Sequence, residues 1–122
     1  MKRLFSLFLL LLLCTGCGSR PTYTQIDQKT AKEMIDTQTV VILDVRELHE
    51  YDSGHIPDAV LLPVDTIDKT TAAAVIPSLD STVLVYCRSG NRSKTASEAL
   101  SALGYTAVYE FGGINTWPYE VE

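Results

Sequence analysis

Four short apolar runs punctuate the chain: VVIL at 40–43, AVLLPV at 59–64, TVLVY at 82–86 and TAVYEF at 106–111. Runs of four to six such residues have strand length. Three of them are almost continuously apolar, the pattern expected when neither face of a strand meets water. Stretches with helical spacing lie between them, and a parallel neighbour needs a crossover long enough to hold a helix. These features specify an α/β fold, a parallel sheet covered on both sides.

Two helices have the clearest ends. Asp27 precedes QKTAKEMID, where its carboxylate can accept from the free amides of the first turn. Ile26 and Ala31 occupy the two positions of a hydrophobic staple. In RSKTASEALSAL, Ala96, Ala99, Leu100 and Leu103 recur at i, i+3, i+4 and i+7, the stripe of a helix packed on one face. Gly104 follows as a stop.

The first residues have a different character. Lys2 and Arg3 precede an apolar run from Leu4 to Leu13, interrupted only by Ser6. That pattern is a secretory signal, too short for the roughly 20 apolar residues of a membrane-spanning helix; a weakly anchoring, uncleaved signal is the alternative. LCTGC then resembles the lipobox of bacterial lipoproteins, with Thr15 and Gly16 before Cys17 and Cys14 where an aliphatic residue is usual. The resemblance implies lipidation of Cys17, and two or three acyl chains there would anchor the protein stably to the outer face of a membrane. The expected organisation is a signal over 1–16, a lipidated N-terminus and polar tether over 17–22, and one domain over 23–122.

Processing at Cys17 would leave Cys87 as the single free thiol, with no partner for an internal disulfide. Ten Lys and Arg stand against fifteen Asp and Glu; without Lys2 and Arg3 the balance is about −7. This acidity speaks against nucleic acid as a partner. About 100 residues suffice for a self-supporting core.

Cys87 opens the segment CRSGNRS, directly after the strongest strand and before the best helix. A tight loop closing on a helix N-terminus aims several backbone N–H groups at one centre, which then attracts anions. Gly90 allows the left-handed backbone such a turn calls for. A thiol at that centre has its anion stabilised and its pKa lowered, and Arg88 and Arg92 add positive charge. The inert alternative, a buried structural cysteine, is common among free cysteines.

The segment DVRELHEYDSGHIPDAVLLPVD at 44–65, the CRSGNRS loop and GGINTW near the C-terminus together resemble the rhodanese superfamily, over roughly residues 23–119. The resemblance implies a three-layer sandwich whose five-stranded parallel sheet is flanked by helices. It implies sulfur transfer from a small sulfur-containing anion such as thiosulfate to a thiophilic acceptor, cyanide or a thiol. Carried over by position, Cys87 is the nucleophile that holds a persulfide. Arg88, Ser89, Gly90, Asn91, Arg92 and Ser93 bind donor and persulfide, the amides of Arg88 to Arg92 stabilising the anion and the two guanidinium groups orienting the donor. No metal or other cofactor is implied. Phosphatases on a related cradle have five residues between Cys and Arg; the four here leave less room and disfavour phosphate. A binding or sulfur-relay module serving a partner protein is the alternative function.

Other residues carry plainer expectations. His55 in GHIP belongs to a structural turn, since a cradle-activated thiolate requires no base. Asp44 and Arg46 tie a strand end to its surroundings. Asp58 replaces the glycine usual in that family's turn, which implies a looser turn here. Trp117 is a core or rim aromatic.

Overall fold

The computed structural model describes residues 22–122, so Cys14, Cys17 and most of the tether lie outside the described residues. Five strands, β1 (Thr24–Gln25), β2 (Val41–Asp44), β3 (Val60–Leu61), β4 (Thr82–Cys87) and β5 (Ala107–Gly113), form one sheet in the order β1-β5-β4-β2-β3. Every pairing is parallel. The helices are α1 (Gln28–Thr37), α2 (Leu48–Asp52), α3 (Lys69–Val75) and α4 (Asn91–Ala102). The expected α/β class, with five parallel strands between helices, is therefore present.

Alternation along β4 divides the core in two. Val83, Val85 and Cys87 face one side with Leu43, Val108 and the apolar residues of α3 and α4, among them Ala72, Ala96 and Leu100. Leu84 and Tyr86 face the other, with Ile42, Phe111 and Ala31 of α1 and with Trp117 packed at the margin. Each large side chain buried this way contributes about 1.5–3 kcal/mol. α1 is capped as its sequence predicts: Asp27 Oδ1 accepts from the Thr30 amide at 2.7 Å, and Ile26 packs against the cluster containing Ala31.

Three expectations need adjustment. β1 carried no apolar pattern; its two residues are held by pairing with Tyr109 and Glu110. Only Val60 and Leu61 of AVLLPV pair as a strand, at the sheet edge, where Val60 is 38 % exposed. Pro63, which has no N–H, follows closely. The fully buried face of α4 is Ser93, Ala96, Ser97 and Leu100, a stripe set three residues earlier than the alanine–leucine pattern. Serine is small enough to let α4 approach the sheet closely.

The turn at Asp58 is another correction. Asp58 has φ +69°, the left-handed region, so this turn keeps the geometry that glycine would supply. Aspartate tolerates that region better than most residues.

Candidate active site

β4 delivers Cys87 to the carboxyl end of the sheet, where parallel α/β folds collect their chemistry. The chain then turns through Arg88 and Ser89 to Gly90, which caps α4 with φ +105°. That left-handed cap bends the loop back over the sulfur, and the Gly90 amide donates to Cys87 Sγ at 3.0 Å. The thiol lies 3.4 Å from Ser93 Oγ, in the first turn of α4. Cys87 is only 1 % exposed, so the sulfur forms the floor of the loop. Burial pushes the thiol up. Hydrogen bonding with the Ser93 hydroxyl and with the amides of Ser93, Gly90 and Ser89 outweighs that, and the thiol sits below its ordinary value.

The loop leans on the end of β5. Asn115 N–H donates to Arg88 C=O at 3.1 Å. A Cβ on Gly113 would fall 2.0 Å from that same oxygen, so no other residue fits there without moving the loop. The Gln28 side-chain amide donates to Gly113 C=O at 2.8 Å, fastening α1 to the same turn. GGIN is thus the abutment of the loop.

The two arginines are placed differently. Arg88 is exposed, and its side chain makes no hydrogen bond or ion pair among the described residues. Arg92 is engaged: its two terminal nitrogens meet the two carboxylate oxygens of Glu50 at 2.7 and 2.8 Å. The side-chain hydrogen bond with Arg92 brings the Glu50 carboxyl down to about 2, against the opposing effect of burial. Glu50 also accepts from the Glu47 amide in the capping box of α2, so the short helix is latched to the start of α4. Ser89 and Asn91 are exposed on the loop, and Ser93 is fully buried beneath it.

Asp44 and Arg46 form a buried ion pair at 2.7 Å, and Arg46 also donates to Gly54 C=O at 2.7 Å. Tyr86 O–H donates to Asp44 at 2.6 Å and accepts from the Ile56 amide. Burial, then the bond to Asp44, raise the phenol well above its ordinary value, so it remains a neutral donor. His55 stacks on Tyr51 with ring centroids 3.9 Å apart, and its Nδ1 lies 3.0 Å from Tyr51 C=O. Its backbone pairs with Glu122 in both directions. None of these hydrogen bonds reaches the loop. Trp117 packs on Phe111 and Tyr119.

Glu110 was not anticipated. It is 2 % exposed, and Oε1 accepts from Ser93 Oγ at 2.7 Å and from the Gly112 amide at 2.8 Å. The β4–β5 register slips between Val85 and Cys87, Val85 pairing with Glu110 and Cys87 with Gly113. Gly112, with φ +90°, lies within this bulge. The available signal was a lone carboxylate inside TAVYEF, in phase with Val108 on the face that carries Cys87.

Comparison with known proteins agrees with this architecture. The family model described as "Rhodanese-like domain" matches residues 27–119. The thiosulfate sulfurtransferase PspE of Escherichia coli is 39% identical over 72 residues, 59% of this chain and 68% of that protein. A sulfurtransferase of Allochromatium vinosum is 38% identical over 95 residues, 76% of this chain and 86% of its own. The crystal structure of a rhodanese-related protein from Thermoplasma volcanium superposes with a TM-score of 0.68 at 32% identity, covering 82% of this chain and 98% of that one. By the extent of the family match and the likeness in fold, this chain belongs to the rhodanese-like domain family.

Proposed function

We propose that the protein is a sulfurtransferase that carries a sulfane sulfur on Cys87. The observation that carries this reading is the Gly90 amide held 3.0 Å from a thiol at the N-terminus of α4, a geometry that favours the anion. The sulfurtransferase names of two relatives support it. The Cys87 thiolate attacks the outer sulfur of a donor such as thiosulfate. The Sγ–S bond forms, the donor's S–S bond breaks, and sulfite leaves with the electron pair. The loop amides then hold the charge of the persulfide, as an oxyanion hole would. A thiophile such as cyanide or a thiol takes the terminal sulfur, and the thiolate returns. Such a cycle is covalent catalysis in two halves.

Thiocyanate formation from thiosulfate and cyanide by the purified protein tests the proposal. Wild type is expected to turn over and Cys87→Ser to lose at least ~1000-fold, the order lost with a nucleophile. Equal inactivity of both proteins across several donors would sink it.

The latch on Arg92 favours a second reading. With that guanidinium spent on Glu50, Arg88 is left to meet the donor, and a relay that receives sulfur from a partner protein needs fewer free cations than one that captures a dianion. Turnover with a persulfidated protein donor but not with thiosulfate would select the relay.

We further propose export and lipid anchoring through Cys17, from the apolar Leu4–Leu13 run and the CTGC segment. Cys17→Ala is expected to move the protein from the membrane fraction to the soluble one; unchanged fractionation refutes the anchor.

A further inference from the structure

The site contains a buried carboxylate that the sulfur-transfer scheme leaves idle. Glu110 is 2 % exposed, and among the described residues no Lys, Arg or His lies within ion-pair distance of it. A charge so placed normally has a partner. Its neighbours are the Gly112 amide, the Gln25 side-chain amide at 3.1 Å and Ser93 Oγ at 2.7 Å. Ser93 is fully buried and lies 3.4 Å from Cys87 Sγ. Sulfur, hydroxyl and carboxylate therefore form one unbroken chain. Glu110 also lines a cavity of about 660 Å³, with Gln25, Gln28 and Lys94, that gives it a way to solvent.

We propose that Glu110 is a positioning residue for the Cys87 thiol, acting through the single hydroxyl proton of Ser93, so that sulfur and carboxylate share one proton. Ser93 has one O–H to give. With Glu110 ionised, that proton goes to the carboxylate, the stronger acceptor, and the serine oxygen accepts from a neutral S–H. When the thiol loses its proton, the serine proton stays with Glu110, so Ser93 has none to give the thiolate and the two anions compete for one hydroxyl. A carboxylate that holds the serine proton thus keeps one donor from the sulfur. This inference rests on the reading of Cys87 as the working thiol.

Other charges near the pair are constant background. Arg92 with its partner Glu50, and Arg88, lie on the sulfur's side, while Tyr23, Asp27 and Lys94 lie on the side of Glu110. Glu110→Gln keeps the shape and removes the charge. The thiolate then becomes the better acceptor for Ser93.

The test is the pH dependence of Cys87 alkylation by iodoacetamide, on the full chain. Glu110→Gln is expected to move the midpoint about one pH unit toward acid, making alkylation roughly tenfold faster below both midpoints. In a Ser93→Ala background the same substitution should change the rate less than about twofold, since the connection is gone. An unmoved midpoint in Glu110→Gln overturns the proposal, and so does an equal shift with and without Ser93. Should Glu110→Gln not fold, the carboxyl ¹³C shift of Glu110 reads the same coupling. An inflection at the thiol midpoint in wild type, missing from Cys87→Ser, supports the shared proton, and its absence from wild type refutes it. Alkylation reports the thiol whether or not sulfur is transferred, so failure here and failure of the sulfurtransferase reading are separate results.

Discussion

Asp44 and Glu110 are two buried carboxylates on either side of the same strand. Asp44 ends β2 and pairs with Tyr86, whereas Glu110 sits in β5 opposite Val85. Both strands flank β4, but the side chains lie on opposite faces of the sheet, Asp44 with Tyr86 and Glu110 with Ser93. Their surroundings differ in one respect. Asp44 has Arg46 and Tyr86 as donors, with Arg46 in turn bonded to Gly54 C=O. Among the described residues Glu110 has only neutral donors, one of which leads to the sulfur. A fully compensated carboxylate has nothing left to exchange and holds the β2 end in place. One held by neutral donors shares its serine donor with the sulfur. The difference teaches that two carboxylates buried alike can be held in different ways, one by a counter-charge and one by hydrogen bonds that it shares with the thiol.

That contrast can be broken most sharply at Arg46. Arg46→Ala leaves Asp44 a buried charge with the Tyr86 hydroxyl and the backbone amide of residue 46 as donors but no cation, and breaking such a pair costs about 3–5 kcal/mol. Glu110→Gln breaks no ion pair and is expected to stay within about 1–1.5 kcal/mol of wild type, the size of an ordinary hydrogen bond. Urea denaturation of the two variants against wild type measures both. If Arg46→Ala were no more destabilising than Glu110→Gln, the division into a structural and an exchanging carboxylate would have no energetic basis.

The two carboxylates were not equally legible in the sequence. Asp44 stands beside Arg46, two residues away, so a local pairing could be read directly. Glu110 meets Ser93 across 17 residues and only after β5 bulges at Gly112. Nothing in TAVYEF announces the bulge. The fold itself was legible where burial is one-sided or complete, at TVLVY and along α4, because periodicity records which face meets the core. It was illegible at β1, where Thr24 and Gln25 belong to the sheet through their backbones alone. The loop was readable as a cradle, since Cys87 and Gly90 are three residues apart. The fate of Arg92 was hidden, because Glu50 lies 42 residues away. Local motifs disclose backbone geometry, and long-range charge pairing needs the assembled sheet.

Glu50 is the intermediate case, and it supplies the smallest test. Its side chain is 18 % exposed and that of Arg92 34 % exposed, so the latch lies between the sealed pair at Asp44 and an open surface bridge. The pair holds the folded-state carboxyl down to about 2, below its ordinary 4.5. A depressed carboxyl contributes stability that is fully present above the unfolded value and is lost as pH falls through the folded one. The contribution should therefore be constant near neutrality, begin to fade below pH 4.5 and be gone once pH drops past about 2. Solvent screening at Arg92 limits it to about 1 kcal/mol. Thermal unfolding of wild type and Glu50→Gln measures the difference, which should narrow steadily with acid and close at the low end. A gap that stays the same width down to the lowest pH would mean that the ion pair with Arg92 adds nothing to stability, and that the charge on Arg92 is free for the donor after all.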